Sequence, residues 1–255
     1  MDLGLTDRVY VVTGASRGLG RAAAELLLGE GARLVLCSRD EEALAGVVEL
    51  AASLGGEVLA LSGDLSDPEL AGRLCAAAMA RFGRLDGALI SVGGPPAGGT
   101  EHVTDEQWRS AFETVFLGPL RLARAVVEAT SAEGSSILFV LSTSVRAPID
   151  GLAISNGLRP GLAMVAKTLA DEAGPRGVRV NALMPGRVDT DRVRELDEAS
   201  GRPASTRRDW EARIPLRRYG QPAEFGRVAT FVLSPAASYL TGAVIPVDGG
   251  LTRAL

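Results

Sequence analysis

Residues 13–20 read Thr13-Gly14-Ala15-Ser16-Arg17-Gly18-Leu19-Gly20, between the apolar run Val9-Tyr10-Val11-Val12 and the alanine- and leucine-rich stretch 22–28. This is a strand, a glycine turn and a helix start. Such a turn lets backbone N–H groups at a helix N-terminus approach a pyrophosphate. Glycine also serves a tight turn that binds nothing. It is the placement, straight after a strand and straight before a helix, that points to a dinucleotide.

The remainder alternates short β-branched apolar runs with helical stretches. Strands are expected near Val9–Val12, Arg33–Cys37, Glu57–Leu61, Ala88–Ser91, Ile137–Leu141, Val178–Leu183 and Ala243–Val247. Helices are expected near Gly18–Gly29, Glu41–Leu54, Pro68–Phe82, Asp105–Thr130, Ser155–Gly174 and Pro222–Ser234. The alternation predicts an α/β fold, a Rossmann-type doubly wound sheet of about seven parallel strands with helices on both faces. Strands covered on both faces are apolar throughout, as these nearly are. The charged segment 187–216 holds Gly201 and Pro203 and shows no clear period, so it reads as a mobile substrate-covering segment.

A chain of 255 residues without an evident linker is expected to form one dinucleotide-binding domain over 1–255. With 31 acidic and 27 basic residues the net charge is −4, so no basic field is available for nucleic acid or an anionic membrane. Only one of the basic residues is lysine, Lys167. Cys37 and Cys75 are far apart and outside any CxxC spacing, which argues against a disulfide framework or metal site and for a reducing cytoplasm. The first strand begins too early for a signal peptide, and no apolar run approaches the ~18 residues of a membrane span.

The pattern T-G-x-x-x-G-x-G resembles the short-chain dehydrogenase/reductase family, and the likeness runs from about residue 5 to residue 250. Further landmarks carry it. Asp64, followed by Leu65 after the third strand, matches the acid that meets the adenine in that family, although an acid ahead of Pro68 also suits a helix cap, a role that Asp67 fills better. Ile90-Ser91-Val92-Gly93 stands where the family shows Asn-Asn-Ala-Gly; Gly93 still permits close approach to the cofactor ribose. Pro185-Gly186-Arg187-Val188-Asp189-Thr190 matches Pro-Gly-x-x-x-Thr, whose threonine faces the nicotinamide carboxamide. Val180-Asn181-Ala182, residues 238–242 and Val247-Asp248-Gly249-Gly250 match segments that are mostly structural. The resemblance thus assigns Gly14, Ser16, Arg17, Gly18, Leu19 and Gly20 to cofactor binding, together with Ser38, Arg39, Asp64, Leu65, Gly93, Pro185, Gly186, Val188 and Thr190.

The second strand ends Leu36-Cys37-Ser38-Arg39. An acid at this point accepts from the adenosine 2′-hydroxyl of NAD, whereas arginine meets the 2′-phosphate of NADP. Arg39 and Arg17 together can clamp a phosphate. Asp40 and Glu41 are the counter-argument, but as a first helical turn they are placed to cap the helix. NADP is therefore expected, with NAD as the alternative.

The family's catalytic Tyr-x-x-x-Lys is absent, since the residue four before Lys167 is Ala163. In acyl-carrier-protein reductases, which the chain resembles most, the motif lysine precedes the sixth-strand asparagine by 22 residues; counting back from Asn181 reaches Arg159 and puts Ser155 at the tyrosine position. The helix asparagine falls on Val115, and the serine persists as Ser142 or, with a two-residue shift, Ser144.

Carbonyl reduction needs a hydride from the nicotinamide and a proton for the nascent alkoxide. A phenol with a pKa of ~10 comes within reach of neutral pH beside an ammonium; a serine hydroxyl does not. Arginine stays charged and donates no proton, but it stabilises an oxyanion or holds the ribose. Among substitutes, Tyr10, Tyr219 and Tyr239 read as structural, His102 as a solvated loop residue, and Asp150 as either an acid raised by a dry pocket or a cap for the helix starting near Ile154.

Three classes compete. The first is an atypical NAD(P)-dependent oxidoreductase acting on a small carbonyl or alcohol, 3-oxoacyl compounds being one option, with Ser142, Ser144, Ser155, Arg159 and Asp150 at the site. The second is a catalytically silent redox sensor or oligomer partner. The third is non-redox chemistry, as in haloalcohol dehalogenases, which also carry arginine for lysine but keep the tyrosine and lose the cofactor loop. The complete cofactor apparatus favours the first. The family's habit of pairing the helices expected at 105–130 and 155–174 implies a homotetramer or dimer, with Ala123, Ala163 and Ala166 permitting close contact.

Overall fold

The apolar runs become strands because each buries both of its faces. A computed structural model describes residues 2–130 and 134–253. β1 (Val9–Thr13), β2 (Arg33–Ser38), β3 (Val58–Ser62), β4 (Gly87–Ile90), β5 (Ser136–Val140), β6 (Arg179–Pro185) and β7 (Val244–Val247) lie within two residues of the expected bounds. They pair in the order β3-β2-β1-β4-β5-β6-β7, and every pairing is parallel. The fold is the expected Rossmann-type doubly wound α/β sheet.

Side chains alternate across each strand, so β1 sends Val9 and Val11 to one face and Tyr10 and Val12 to the other. On the first face pack α3 (Leu70–Phe82), α5 (Gly118–Ala129) and α6 (Ala153–Ala173), through Leu74, Val126 and Leu162. On the second pack α1 (Gly18–Gly29), α2 (Glu41–Ser53) and α9 (Pro222–Leu233), through Leu27, Val47 and Phe225. Cys37 and Cys75 are both buried in the first layer, where burial pushes their thiols up to about 11.

Two expectations need correction. The stretch 105–130 is α4 (Asp105–Ala111), a π-helical turn (Phe112–Leu117) and then α5. Pro119 has no N–H and its ring crowds the carbonyl four residues back, which the wider π turn relieves. The third helix starts at Leu70, not Pro68: the Asp67 carboxylate accepts from the Glu69 N–H at 2.9 Å and pairs with Arg73 at 2.8 Å, which holds the chain in a turn first.

The segment 187–216 contains α7 (Asp191–Glu198) and α8 (Pro203–Arg213). It shows no apolar period because α8 buries no side chain and α7 buries only Asp197. Helical-spacing ion pairs, Arg194–Asp191 at 2.7 Å and Arg207–Glu211 at 2.9 Å, support them instead.

A buried cation closes the end of α9. Arg179 is 6 % exposed and donates to the carbonyls of Val232, Leu233, Ser234 and Leu240 at 2.9–3.3 Å. The Tyr10 hydroxyl donates to the same Leu233 carbonyl at 3.2 Å. Val232, Leu233 and Ser234 lie at the C-terminus of α9, where carbonyls have no partner within the helix, and a cation there also suits the helix dipole.

Candidate active site

The sheet order reverses where β1 lies between β2 and β4, and a parallel sheet opens a crevice beyond the carboxyl ends of its strands at such a point. A cleft of about 1680 Å3 lies there. It exceeds the roughly 300–1,000 Å3 of a single small-ligand pocket.

Its floor is the glycine turn. The Thr13 hydroxyl donates to the Ser91 carbonyl at 2.7 Å and accepts from the Ser91 N–H at 2.9 Å, tying β1 to the chain after β4. Gly14 passes so close that a Cβ there would lie 2.9 Å from the Ser91 carbonyl oxygen. Gly18 has a φ of +60°. Gly14, Ser16, Arg17, Gly18 and Leu19 line the cleft; Gly20 does not. A Cβ on Gly20 would sit 2.3 Å from the Gly14 carbonyl oxygen, so Gly20 serves the packing of helix against turn. No side chain caps α1.

At one end lie Ser38, whose hydroxyl donates to Ser16 Oγ at 2.8 Å, and Arg39, 72 % exposed and 3.5 Å from the Asp64 carboxylate. Asp40 accepts from the Ala43 N–H at 2.9 Å and so caps α2. Desolvation, the largest single influence on the Asp64 carboxyl, raises it, but the Ser66 hydrogen bonds and Arg39 together outweigh this and hold it below the usual range. Leu65 and Gly93 also line this part, with Arg39 lying over Gly93.

Pro185, Gly186, Val188 and Thr190 line the opposite wall. The Thr190 hydroxyl accepts from the Val193 N–H at 3.4 Å, which caps α7. Sequence reasoning missed the anchor of that helix: buried Asp197 accepts from Arg187 and from the Tyr219 hydroxyl, both at 2.9 Å, while Arg187 stacks on Trp210. A carboxylate in a charged helix carries no sequence signal of burial. Also missed was Arg192 of α7, which donates to the Pro95 carbonyl at 2.7 Å.

At the inner end the two candidate serines are placed differently. Ser142 and Ser155 line the cleft, whereas Ser144 lies behind them, its Oγ 3.1 Å from Ser155 Oγ. Arg159, one turn along α6 from Ser155, is 6 % exposed and donates from Nη1 to the Val140 and Leu141 carbonyls at 2.9 and 3.0 Å. Burial, and secondarily the charge of Arg192, push its guanidinium down to about 10, so it remains a cation at neutral pH. Val115 lines the cleft from the π turn.

Asp150 also lines the cleft, but it is exposed, without the dry surroundings expected, and it does not cap α6. His102 is exposed and outside the cleft. None of Tyr10, Tyr219 and Tyr239 lines it: the first two are buried, with phenols raised by burial, and the third is exposed. Among the described residues no group of side chains is placed to hold a metal ion, and no helix is long and apolar enough to cross a membrane.

The family model described as enoyl-(acyl carrier protein) reductase matches residues 14–252. An uncharacterized oxidoreductase of Methylorubrum extorquens is 34 % identical over 97 % of this chain and 98 % of its own length. L-rhamnose 1-dehydrogenase (NAD(P)(+)) of Azotobacter vinelandii is 33 % identical over 97 % of each chain. The crystal structure of L-sorbose reductase from Gluconobacter frateurii, complexed with NADPH and L-sorbose, superposes with a TM-score of 0.93 at 29 % identity and full coverage of both chains. With a family match across nearly its whole length on top of the seven-stranded parallel sheet and its glycine-floored crevice, this chain belongs to the short-chain dehydrogenase/reductase family of oxidoreductases.

Proposed function

We propose that the protein is an NADP-preferring oxidoreductase that transfers a hydride between a nicotinamide cofactor and a small carbonyl or alcohol, using an altered catalytic set. One observation carries this reading: the uncapped N-terminus of α1 opens into the same cleft that holds Ser142, Ser155 and Arg159. The residues present fit the cofactor, because a glycine turn with no room for a Cβ leaves the first-turn N–H groups to a pyrophosphate. When bound, NADPH supplies the hydride. Ser142 and Ser155 bind the substrate oxygen, Ser144 orients the Ser155 hydroxyl, and Arg159 stabilises the charge that develops on that oxygen. Asp150 is exposed at the rim, without the dry surroundings its role as an acid requires, so solvent water supplies the proton. Asp64, Leu65 and Gly93 bound the adenosine end, and Pro185, Gly186, Val188 and Thr190 bound the nicotinamide end. The NADPH complex of the L-sorbose reductase supports the cofactor assignment. The lack of a tyrosine among the cleft residues favours a second reading, a dinucleotide-binding protein without turnover.

Arg39 and Arg17 are the expected contacts of the 2′-phosphate. Both are more than half exposed, which favours the lower end of the roughly 1.5–3 kcal/mol of a charge-assisted hydrogen bond. NADPH should therefore bind about tenfold or more tighter than NADH in calorimetric titration, and Arg39→Ala should remove most of the difference. Absence of binding by either nucleotide sinks both readings.

The chain acts as a single dinucleotide-binding unit that pairs with further copies. The small residues expected at the pairing face, Ala123, Ala163 and Ala166, are buried in the chain's own core instead. Met164 (66 % exposed) and Phe112 (40 % exposed) remain outward on α6 and at the π turn. Sedimentation at micromolar concentration should show a dimer or tetramer; a 26.4 kDa species alone excludes this assembly.

A further inference from the structure

Arg159 is nearly fully buried, yet only its Nη1 is used, and by two neutral carbonyls. No carboxylate among the described residues pairs with it, so its charge faces the cleft uncompensated. A buried cation without an anion is costly; Arg179 offsets that cost by serving four carbonyls from two nitrogens, whereas Arg159 leaves Nε and Nη2 for a ligand to use. From the opposite wall Arg192 reaches over the cleft: a Cβ on Gly94 would lie 2.6 Å from its Nε, and its Nη2 is held by the Pro95 carbonyl. Its nearest acid, Glu195, stands 3.7 Å away, is half exposed and is shared with Arg17.

The other acids at this end do not neutralise the pair. Glu106 and Asp191 are exposed and bound to Arg109 and Arg194, and Asp150 lies exposed at the rim. Arg159 follows Ser155 by one helical turn on the same face of α6. An anionic group between the two arginines therefore adjoins an oxygen held at Ser142 and Ser155.

We propose that the substrate carries a carboxylate next to its reacting carbonyl, a 2-oxo acid or the matching 2-hydroxy acid, held between Arg159 and Arg192. The proposal deepens the oxidoreductase reading and rests on this cleft being the site of that reaction.

Benzoylformate and its neutral methyl ester, titrated calorimetrically into the NADP+-saturated and the cofactor-free protein, test it without turnover. The acid should bind at least about tenfold more tightly than the ester, the scale of one charge-assisted contact. Arg192→Gln should bring the two affinities within about twofold, and Arg192→Lys, which keeps the charge, should retain most of the preference. Equal binding of acid and ester by the wild type overturns the proposal, as does saturation by neither at millimolar concentration. It is equally overturned if Arg192→Gln keeps the acid preference and instead loses NADP+ affinity, since Arg192 then serves the cofactor's phosphates. Should NADP+ fail to bind while the cofactor-free protein still prefers the acid, the oxidoreductase reading falls and the anion site stands.

Discussion

Combining Ser155→Tyr, Arg159→Lys and Val115→Asn is expected to raise NADPH-dependent reduction of a neutral activated ketone, such as trifluoroacetophenone, by about 10²–10⁴-fold over the wild type. That range is what a positioned general acid contributes, and no tyrosine lies in the cleft to supply it. The phenol needs a neighbouring ammonium to bring its pKa of ~10 toward neutrality, so Ser155→Tyr alone should do much less than the combination. Space is the main obstacle, because Ser155 packs against Ser144 at 3.1 Å and a phenol has to turn outward into the cleft. Steady-state NADPH oxidation followed at 340 nm, with circular dichroism to show that the variant folds, measures the effect. If the wild type already reduces the ketone rapidly, then the placement of Ser155 and Arg159 at the Tyr and Lys positions is wrong, and a positioned proton donor is at work in the cleft.

Loss of the buried cation at Arg179 should be the most damaging single change to stability. Its guanidinium serves four carbonyls at the end of α9 and the loop beyond it, and Arg179→Met leaves all four without that donor. Each carbonyl keeps a second donor, Ser136 Oγ, the Tyr10 hydroxyl, the Ala237 N–H and Asn181 Nδ2 in turn, so what is lost is a set of hydrogen bonds from a charged donor, each worth about 1.5–3 kcal/mol. The cost of burying the cation disappears with it and lowers the sum, and a loss of about 3 kcal/mol is expected. For a domain of this size that corresponds to a fall in Tm of roughly 6–12 °C. Tyr10→Phe removes one hydrogen bond to the same Leu233 carbonyl and should cost only about 1 kcal/mol. Thermal unfolding of both variants decides the matter: an Arg179→Met protein no less stable than Tyr10→Phe means that the other donors already satisfy these carbonyls.

The sequence by itself determined everything that depends on neighbours along the chain. Runs such as Val9-Tyr10-Val11-Val12 are apolar on both faces and so must become covered strands, which is why all seven appear close to their expected bounds. Gly14 and Gly18 were legible because a turn needing positive φ restricts residue type locally. The altered register at Ser155 and Arg159 came from counting along a resemblance, and both side chains do face the cleft.

Tertiary structure decided what depends on which surface an element meets. Ser142 and Ser144 are two residues apart and chemically alike, and only the 3-10 turn at Thr143–Val145 sends one to the cleft and the other behind Ser155. Gly20 belongs to the glycine pattern but packs on Gly14, because the close approach of helix to turn leaves it no exposed face. The charged stretch 187–216 carried no helical period because its helices are held from outside, by Asp197 on Arg187 and Tyr219 and by ion pairs, not by an apolar stripe of their own. Asp150 lost its dry pocket and Arg192 gained its place over the cleft for the same reason. Burial and charge environment are set by residues distant in sequence, and a single chain read in order does not show which of them meet.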